Sequence, residues 1–244
     1  MFLHKNPKVA SLLEGKRVAL IGPSPHLLGC GLGPEIDKYD LVCRINDIVD
    51  KKYAVDYGTK NNVVFHACPT LWISNFASKL EKNAEVAKSI EMVICPKIKA
   101  IHDNSGSVVE NFEKINKYNI PFWWIGPHNF YHLQSLIGVE PNSGIMAIQI
   151  LLGYKVQELL IAGFSFYKQY NNKHKYSDCY YSKEEYNRGI DDANSNPLMG
   201  HQQAPQTDYI VNSLMPQYGE KIIVDSFLDN LLSLKHNRVL DIKQ

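Results

Sequence analysis

The sequence predicts an α/β protein: a single domain over residues 1–244 with a mostly parallel, Rossmann-like central sheet and helices on both faces. Two observations carry this. Short apolar runs end abruptly at glycine, proline or a polar residue, as buried parallel strands do where they hand over to a loop. Longer segments with apolar residues at helical spacing lie between them, and that alternation marks a parallel sheet covered by helices. A chain of 244 residues with 45% hydrophobic content can build one sizeable core of this kind.

Residues 1–16 predict a short lead-in helix, and Lys16 and Arg17 mark the entry to a first strand at 18–21. There the run VALI meets Gly22-Pro23-Ser24-Pro25, and a loop carrying Gly29, Gly31 and Gly33 follows. A second strand is expected at 39–44, ending in the polar cluster Arg44, Asn46 and Asp47. Asp56 to Thr59 reads as a turn, and 62–66 as a strand stopping at His66. Phe76, Leu80, Val86 and Ile90 fall at helical spacing, after which 91–95 forms a strand closed by Pro96. Residues 97–120 are ambiguous, whereas 122–125 reads as a buried strand whose Trp123 and Trp124 serve the core. Pro141, Asn142 and Ser143 open an apolar run to Leu152, predicting a helix capped by Asn142 or Ser143. A strand at 159–162 then stops at Gly163-Phe164, residues 206–215 read as a helix, and 221–225 reads as the last strand.

Basic residues number 26 and acidic ones 25, so no field of one sign marks a general nucleic-acid binder. No segment is apolar for long enough to span a bilayer, and the first 16 residues lack the features of a secretory signal. A cytoplasmic protein is expected, at most peripheral to the inner face of a membrane. Cysteines 30, 43, 68, 95 and 179 are odd in number and form no CxxC, which favours reduced thiols over a disulfide framework or a zinc site.

Open α/β proteins bind ligands at the loops leaving the carboxyl ends of their strands, and the glycine loop reads as a cradle for a phosphate or nucleotide. The dinucleotide fingerprint fits poorly. Gly29 comes seven residues after Gly22, and Asp37 and Asp40 precede the second strand instead of ending it. The helix opened near Ser143 would aim free N–H groups at the same space. From 165 to 206 tyrosine, asparagine and charge dominate, as in a functional loop or lid. Among nine histidines, His174 and His201 stand out because they lie in that segment and imidazole titrates near neutrality. Neither sits in HxxH or HExxH, and no Asp-x-Asp pair lies nearby, so no metal is expected. The Ser24 neighbourhood is not GxSxG, which disfavours an acyl-transfer nucleophile.

These residues together resemble the eukaryotic-type sialyltransferase family, in a soluble, divergent bacterial or viral form. The family's long motif is similar to Gly22-Pro23-Ser24-Pro25, Gly33, Ile36-Asp37, Asp40 and Val42-Cys43-Arg44-Ile45-Asn46. Its small motif resembles Pro141-Asn142-Ser143-Gly144 through Gly163-Phe164, and its histidine motifs fall near His174-Lys175-Tyr176 and His201. The chain departs from the family pattern at several points. Pro23 replaces an asparagine used near the donor phosphate and has neither side-chain donor nor backbone N–H. The acidic residue after the last histidine motif is unmatched, Asp208 lying two positions too far. The family's disulfide, whose positions fall near Val18 and Val156, is absent, and so is its membrane anchor.

The resemblance implies a GT-A-like variant of the Rossmann-like fold and an inverting transfer of sialic acid from its CMP conjugate to a glycan hydroxyl. It implies donor contacts from Gly22, Ser24, Asn46, Asn142, Ser143, Gly144, Gly163 and Phe164, with His201 as general base and His174 at the leaving phosphate. Cytidine monophosphate leaves as one phosphate, so protein donors can stabilise the developing charge without a metal or other cofactor. Three alternatives stay open: a transferase using CMP-3-deoxy-manno-octulosonate, a CMP-sugar hydrolase, and a non-catalytic nucleotide- or glycan-binding module.

Overall fold

The computed structural model describes residues 5–98, 107–166 and 203–242. Its strands are β1 (Arg17–Ile21), β2 (Leu41–Ile45), β3 (Val63–Phe65), β4 (Met92–Cys95), β5 (Phe122–Trp124), β6 (Glu158–Ala162), β7 (Ile222–Asp225) and β8 (Val239–Leu240). They form one eight-stranded sheet in the order β5-β4-β3-β2-β1-β6-β7-β8. Every pairing is parallel. The chain steps outward from β1 to β5, crosses back to the other side of β1, and steps outward again. The chain therefore turns opposite ways after β1 and after β6, and at such a switch point open α/β sheets have their ligand crevice, at the carboxyl ends of the strands.

Side chains alternate along each strand, so the sheet buries both faces. Leu20, Cys43, Phe65, Ile94 and Ile161 join one core with residues of α1 (Pro7–Leu13), α7 (Gly126–Ile137) and α8 (Ser143–Gly153). On the opposite face Ala19, Ile21, Val42 and Leu160 pack with Ile36 of α2 (Gly33–Ile36) and Tyr57 of α3 (Ala54–Tyr57). Val64 and Val93 pack there with α4 (Thr70–Lys82), α5 (Ala84–Ser89) and α6 (Val108–Ile115). Residues 143–152 of α8 are all buried, which suits a helix apolar on every side. Each such Leu or Ile contributes about 1.5–3 kcal/mol relative to an exposed position. Beyond residue 202, α9 (Gln203–Tyr209) passes through a π-helical turn (Ile210–Leu214) into α10 (Met215–Tyr218), and α11 (Ser226–Leu232) follows β7.

Two expectations are corrected. The aromatic run at 122–124 is not a fully buried strand but the sheet's edge, paired on one side only among the described residues, and Trp124 is 36% exposed with its indole N–H donating to Lys97 O. The strand at 222–225 is not the last, because Val239 and Leu240 pair with Val224 and Asp225.

Candidate functional site

At the crevice β1 and β6 leave the sheet back to back. Ile21 and Ala162 are register partners, Gly22 N–H donates to Ala162 O at 2.8 Å, and Ser24 N–H donates to Gly163 O at 2.9 Å. A Cβ on Gly22 would lie 2.4 Å from Gly163 O, so the strand ends approach this closely only because both residues are glycine. Phe164 wedges behind them and reaches α8: a Cβ on Gly144 would lie 2.8 Å from its ring. The Tyr57 hydroxyl donates to Ser24 O at 2.7 Å, pinning the loop from α3. On the neighbouring strand, Asn46 adopts φ 62 just past the end of β2, a left-handed conformation that asparagine tolerates better than most residues. Its N–H donates to Phe65 O at 2.7 Å and its Oδ1 accepts from Ala67 N–H at 3.2 Å.

The amino terminus of α8 opens toward the same crevice, as a crossover helix running antiparallel to its strand must. Asn142, not Ser143, is the cap, and its Oδ1 accepts from Ile145 N–H at 2.9 Å. Helix amino termini leave N–H groups without intrahelical partners, which suits an anionic ligand. Two elements hold this start in place. Lys97, just beyond β4, donates to Glu140 Oε1 at 2.8 Å and to Pro141 O at 2.7 Å. Burial pulls its pKa below the ordinary lysine value, against the opposing charge of Glu140. From α9, the buried Gln206 accepts from Asn142 N–H at 3.0 Å, and Tyr209 donates to Gln149 Oε1 at 2.8 Å.

The family model described as glycosyltransferase family 29 (sialyltransferase) matches residues 4–196, well over half of the chain. The chain belongs to this family. A sialyltransferase-like protein 2 from Oryza sativa subsp. indica is 45% identical over 47 residues, which cover 19% of this chain and 12% of that protein. The match thus spans about an eighth of the curated relative's length. In fold, the chain is similar to the Campylobacter jejuni sialyltransferase CstII in complex with CMP-3FNeuAc. That likeness has a TM-score of 0.57 at 18% identity and covers 94% of this chain and 95% of that one. A mammalian sialyltransferase structure is similar at a TM-score of 0.54 and 14% identity, over 98% of this chain and 74% of the other.

Within the sialyltransferase family's long motif, this structure divides the labour. Asp37, Asp40 and Arg44 do not face the crevice but tie its supporting loops. Arg44, fully buried, donates from Nε and Nη2 to Lys60 O at 3.1 and 2.7 Å, while its Nη1 has no hydrogen-bond partner among the described residues. Burial pushes the Asp37 carboxyl up, but hydrogen bonds from Thr59 and Lys60 and the charge of Arg44 outweigh it and bring the carboxyl below its ordinary value. Asp40 accepts from Arg17 N–H at 2.8 Å, fixing the start of β1. Gly22, Ser24, Gly163, Phe164, Gly144 and Asn142 form one connected group at the crevice, with Ser143 opening α8 beside them and Asn46 one strand away. His174, His201 and most of the polar segment 165–206 lie outside the described residues.

Sequence reasoning did not single out His26, His66, Lys97, Gln206 or Asp225. His66 is fully buried at the end of β3, where its Nδ1 accepts from Cys68 N–H at 2.9 Å and its Nε2 has no partner among the described residues. Burial pulls its pKa from 6.5 to about 3. The native state therefore refuses a proton that the unfolded chain accepts below pH 6.5. Stability is expected to fall as pH drops from that value toward about 3, with a slope approaching about 1.4 kcal/mol per pH unit from this group alone. Urea unfolding at successive pH values checks it: His66→Gln should show a shallower loss, and identical slopes would refute the assignment.

Proposed function

We propose that the protein transfers an acidic keto-sugar, sialic acid, from its cytidine monophosphate conjugate to a glycan hydroxyl, with inversion at the anomeric carbon. The observation that carries this reading is the family match over residues 4–196. Gly22, Ser24, Asn46, Asn142, Ser143, Gly144, Gly163 and Phe164 are proposed to hold the donor. The crevice favours an anion there, since backbone N–H groups and a helix amino terminus replace the phosphate's hydration. His201 is proposed as the base that takes the acceptor hydroxyl's proton while that oxygen attacks, and His174 as the group at the departing phosphate. These two roles rest on the order of the family's motifs. His201 stands two residues before α9, whose Gln206 is bonded to the cap residue of α8.

The chain is read as one glycosyltransferase domain, with 165–206 as its lid. We place it in the cytoplasm, at most peripheral to the inner face of a membrane. Cys30, Cys43, Cys68 and Cys95 are free thiols, and Val18 and Val156, near the family's disulfide positions, are buried in the core. Among the described residues no helix is long and apolar enough to cross a membrane. No group of three or more His, Cys, Asp or Glu side chains that could hold a metal ion occurs among them either.

Titration calorimetry with cytidine, uridine and guanosine nucleotides tests the donor class. Cytidine monophosphate is expected to bind at least about tenfold tighter than the uridine or guanosine diphosphates, a difference of about 1.4 kcal/mol. Preference for a diphosphate would overturn the donor assignment, and release of free sugar from the CMP conjugate at an undiminished rate without acceptor would replace transfer by hydrolysis.

A further inference from the structure

On the β7 side of the crevice the polar side chains are bonded to one another within the protein: Ser24 Oγ lies 2.8 Å from His26 Nδ1, and His26 Nε2 lies 3.0 Å from Asp225 Oδ2. On the β5 side the carboxyl edge of the sheet carries exposed aromatic surface instead. Trp124, the last residue of β5, is 36% exposed, and Tyr131 of α7 is 56% exposed. Both are anchored through one buried residue. The Trp124 indole N–H donates to Lys97 O at 2.8 Å, and Tyr131 follows Phe130, whose ring centroid lies 5.5 Å from Lys97 Nζ. The same ammonium donates to Glu140 and to Pro141 O at the start of α8. The aromatic surface is thus built on the residue that also fixes the helix proposed to face the donor.

Chemistry narrows the ligand. The one polar atom of the indole is committed to Lys97 O, so the exposed part of Trp124 offers only apolar ring. Residues 118–139, which include β5 and α7, contain no Asp, Glu, Lys or Arg. Such a stretch supplies no cation for an anionic membrane or an acidic sugar. A neutral pyranose fits it, because the C–H groups of one sugar face stack on an aromatic ring while the hydroxyls at the rim stay in water.

We propose that Trp124 and Tyr131 form a subsite for a neutral sugar of the acceptor glycan, remote from the hydroxyl that receives the transferred sugar. This rests on the reading of the protein as a sialic acid transferase. β5 stands three strand steps from β2, beyond whose end Asn46 lies, and at about 4.8 Å per step that is roughly 14 Å. One sugar ring does not span this distance, so the ring on Trp124 belongs to an oligosaccharide laid across the carboxyl ends of β3 and β4. An indole fixed in advance by its bond to Lys97 loses little side-chain freedom when the sugar arrives. The consequence is a preference for longer acceptors over monosaccharides.

Steady-state kinetics of the full chain test it, with CMP-sialic acid as donor and neutral mono- to tetrasaccharides ending in galactose, glucose or their N-acetylated amines as acceptors. In the wild type kcat/KM should rise about tenfold from monosaccharide to tetrasaccharide, mainly through KM. Trp124→Ala should lose about that factor on the tetrasaccharide, and the loss should shrink as the acceptor shortens. Its affinity for cytidine monophosphate, read by calorimetry, should stay within about twofold of wild type. Trp124→Phe keeps a ring but not the bond to Lys97 O, and should retain most of the gain with length. Tyr131→Ala, at an exposed position, should lose part of that gain, and it decides the matter if Trp124→Ala does not fold. An equal loss on every acceptor would mean that Trp124 is merely structural and overturns the inference. So does a wild type that binds cytidine monophosphate but gains nothing with acceptor length or uses none of these sugars. Weakened binding of Trp124→Ala to phosphatidylcholine vesicles, with acceptor kinetics unchanged, would assign the patch to a membrane instead. A wild type that binds no cytidine nucleotide overturns the donor reading, and this inference falls with it.

Discussion

Replacing His201 by alanine is expected to lower kcat by roughly 10²- to 10⁴-fold while donor affinity stays within about twofold. A general base acts on the acceptor hydroxyl only as the bond to the anomeric carbon forms, so its loss falls on the transition state and not on the bound donor. His174→Ala should behave differently. A side chain at the leaving phosphate contacts the donor in the ground state too, so its removal weakens donor binding and slows turnover together. Single-turnover measurements with saturating acceptor separate the two. Should His201→Ala keep more than about a third of the wild-type rate where chemistry is limiting, the base is another residue and His174 is next in line.

The sheet was legible because buried parallel strands must be apolar on both faces and must stop where the loop needs a different backbone. Ile21 before Gly22, Ala162 before Gly163 and Phe65 before His66 all announce that stop, and each is a strand end in the structure. The start of α8 was legible for a local reason as well, since Pro141-Asn142-Ser143 is a capping sequence and Asn142 caps. Which of its two candidates did so was settled only by the geometry. The order of strands was not legible: nothing local tells β6 to return beside β1 after four outward steps. Nor does a two-residue strand such as Val239–Leu240 carry any periodicity. Trp124 misled because burial follows from a strand's place in the sheet, and β5 has no outer neighbour among the described residues, whereas Trp123 does pack against the core.

The site shows the same division. Its glycines and its capped helix are local features and could be found along the chain. The His26–Asp225 pair joins residues 199 apart, and neither stands in a pattern that signals the other. Gln206 meets Asn142 across 64 residues with as little notice. Conversely, Arg44 and Asp37 belong to the family's long motif yet serve the loop at 58–60, so membership of a motif did not by itself place a side chain at the crevice.

Gly22→Ala is expected to destabilise the fold by at least about 3 kcal/mol, the upper end of what overpacking by one methyl group costs. The new Cβ would stand 2.4 Å from Gly163 O and 3.0 Å from Gly163 C, both backbone atoms with no rotamer to escape into. Neither strand end can withdraw cheaply. Gly22 N–H is bonded to Ala162 O, Ser24 N–H to Gly163 O, and Gly163 N–H to the buried Asp225 carboxylate. Relief of the clash must therefore break one of these bonds or shift Ser24, so the variant that does fold should also bind the donor more weakly. Gly29→Ala supplies the contrast. Gly29 has φ +82 but nothing within 4 Å of an added Cβ, so its substitution carries only left-handed backbone strain, about 1–2 kcal/mol. Urea unfolding of the wild type and both variants orders the two effects, and a Gly22→Ala protein no less stable than Gly29→Ala would mean that the ends of β1 and β6 are not held together at the switch point in solution.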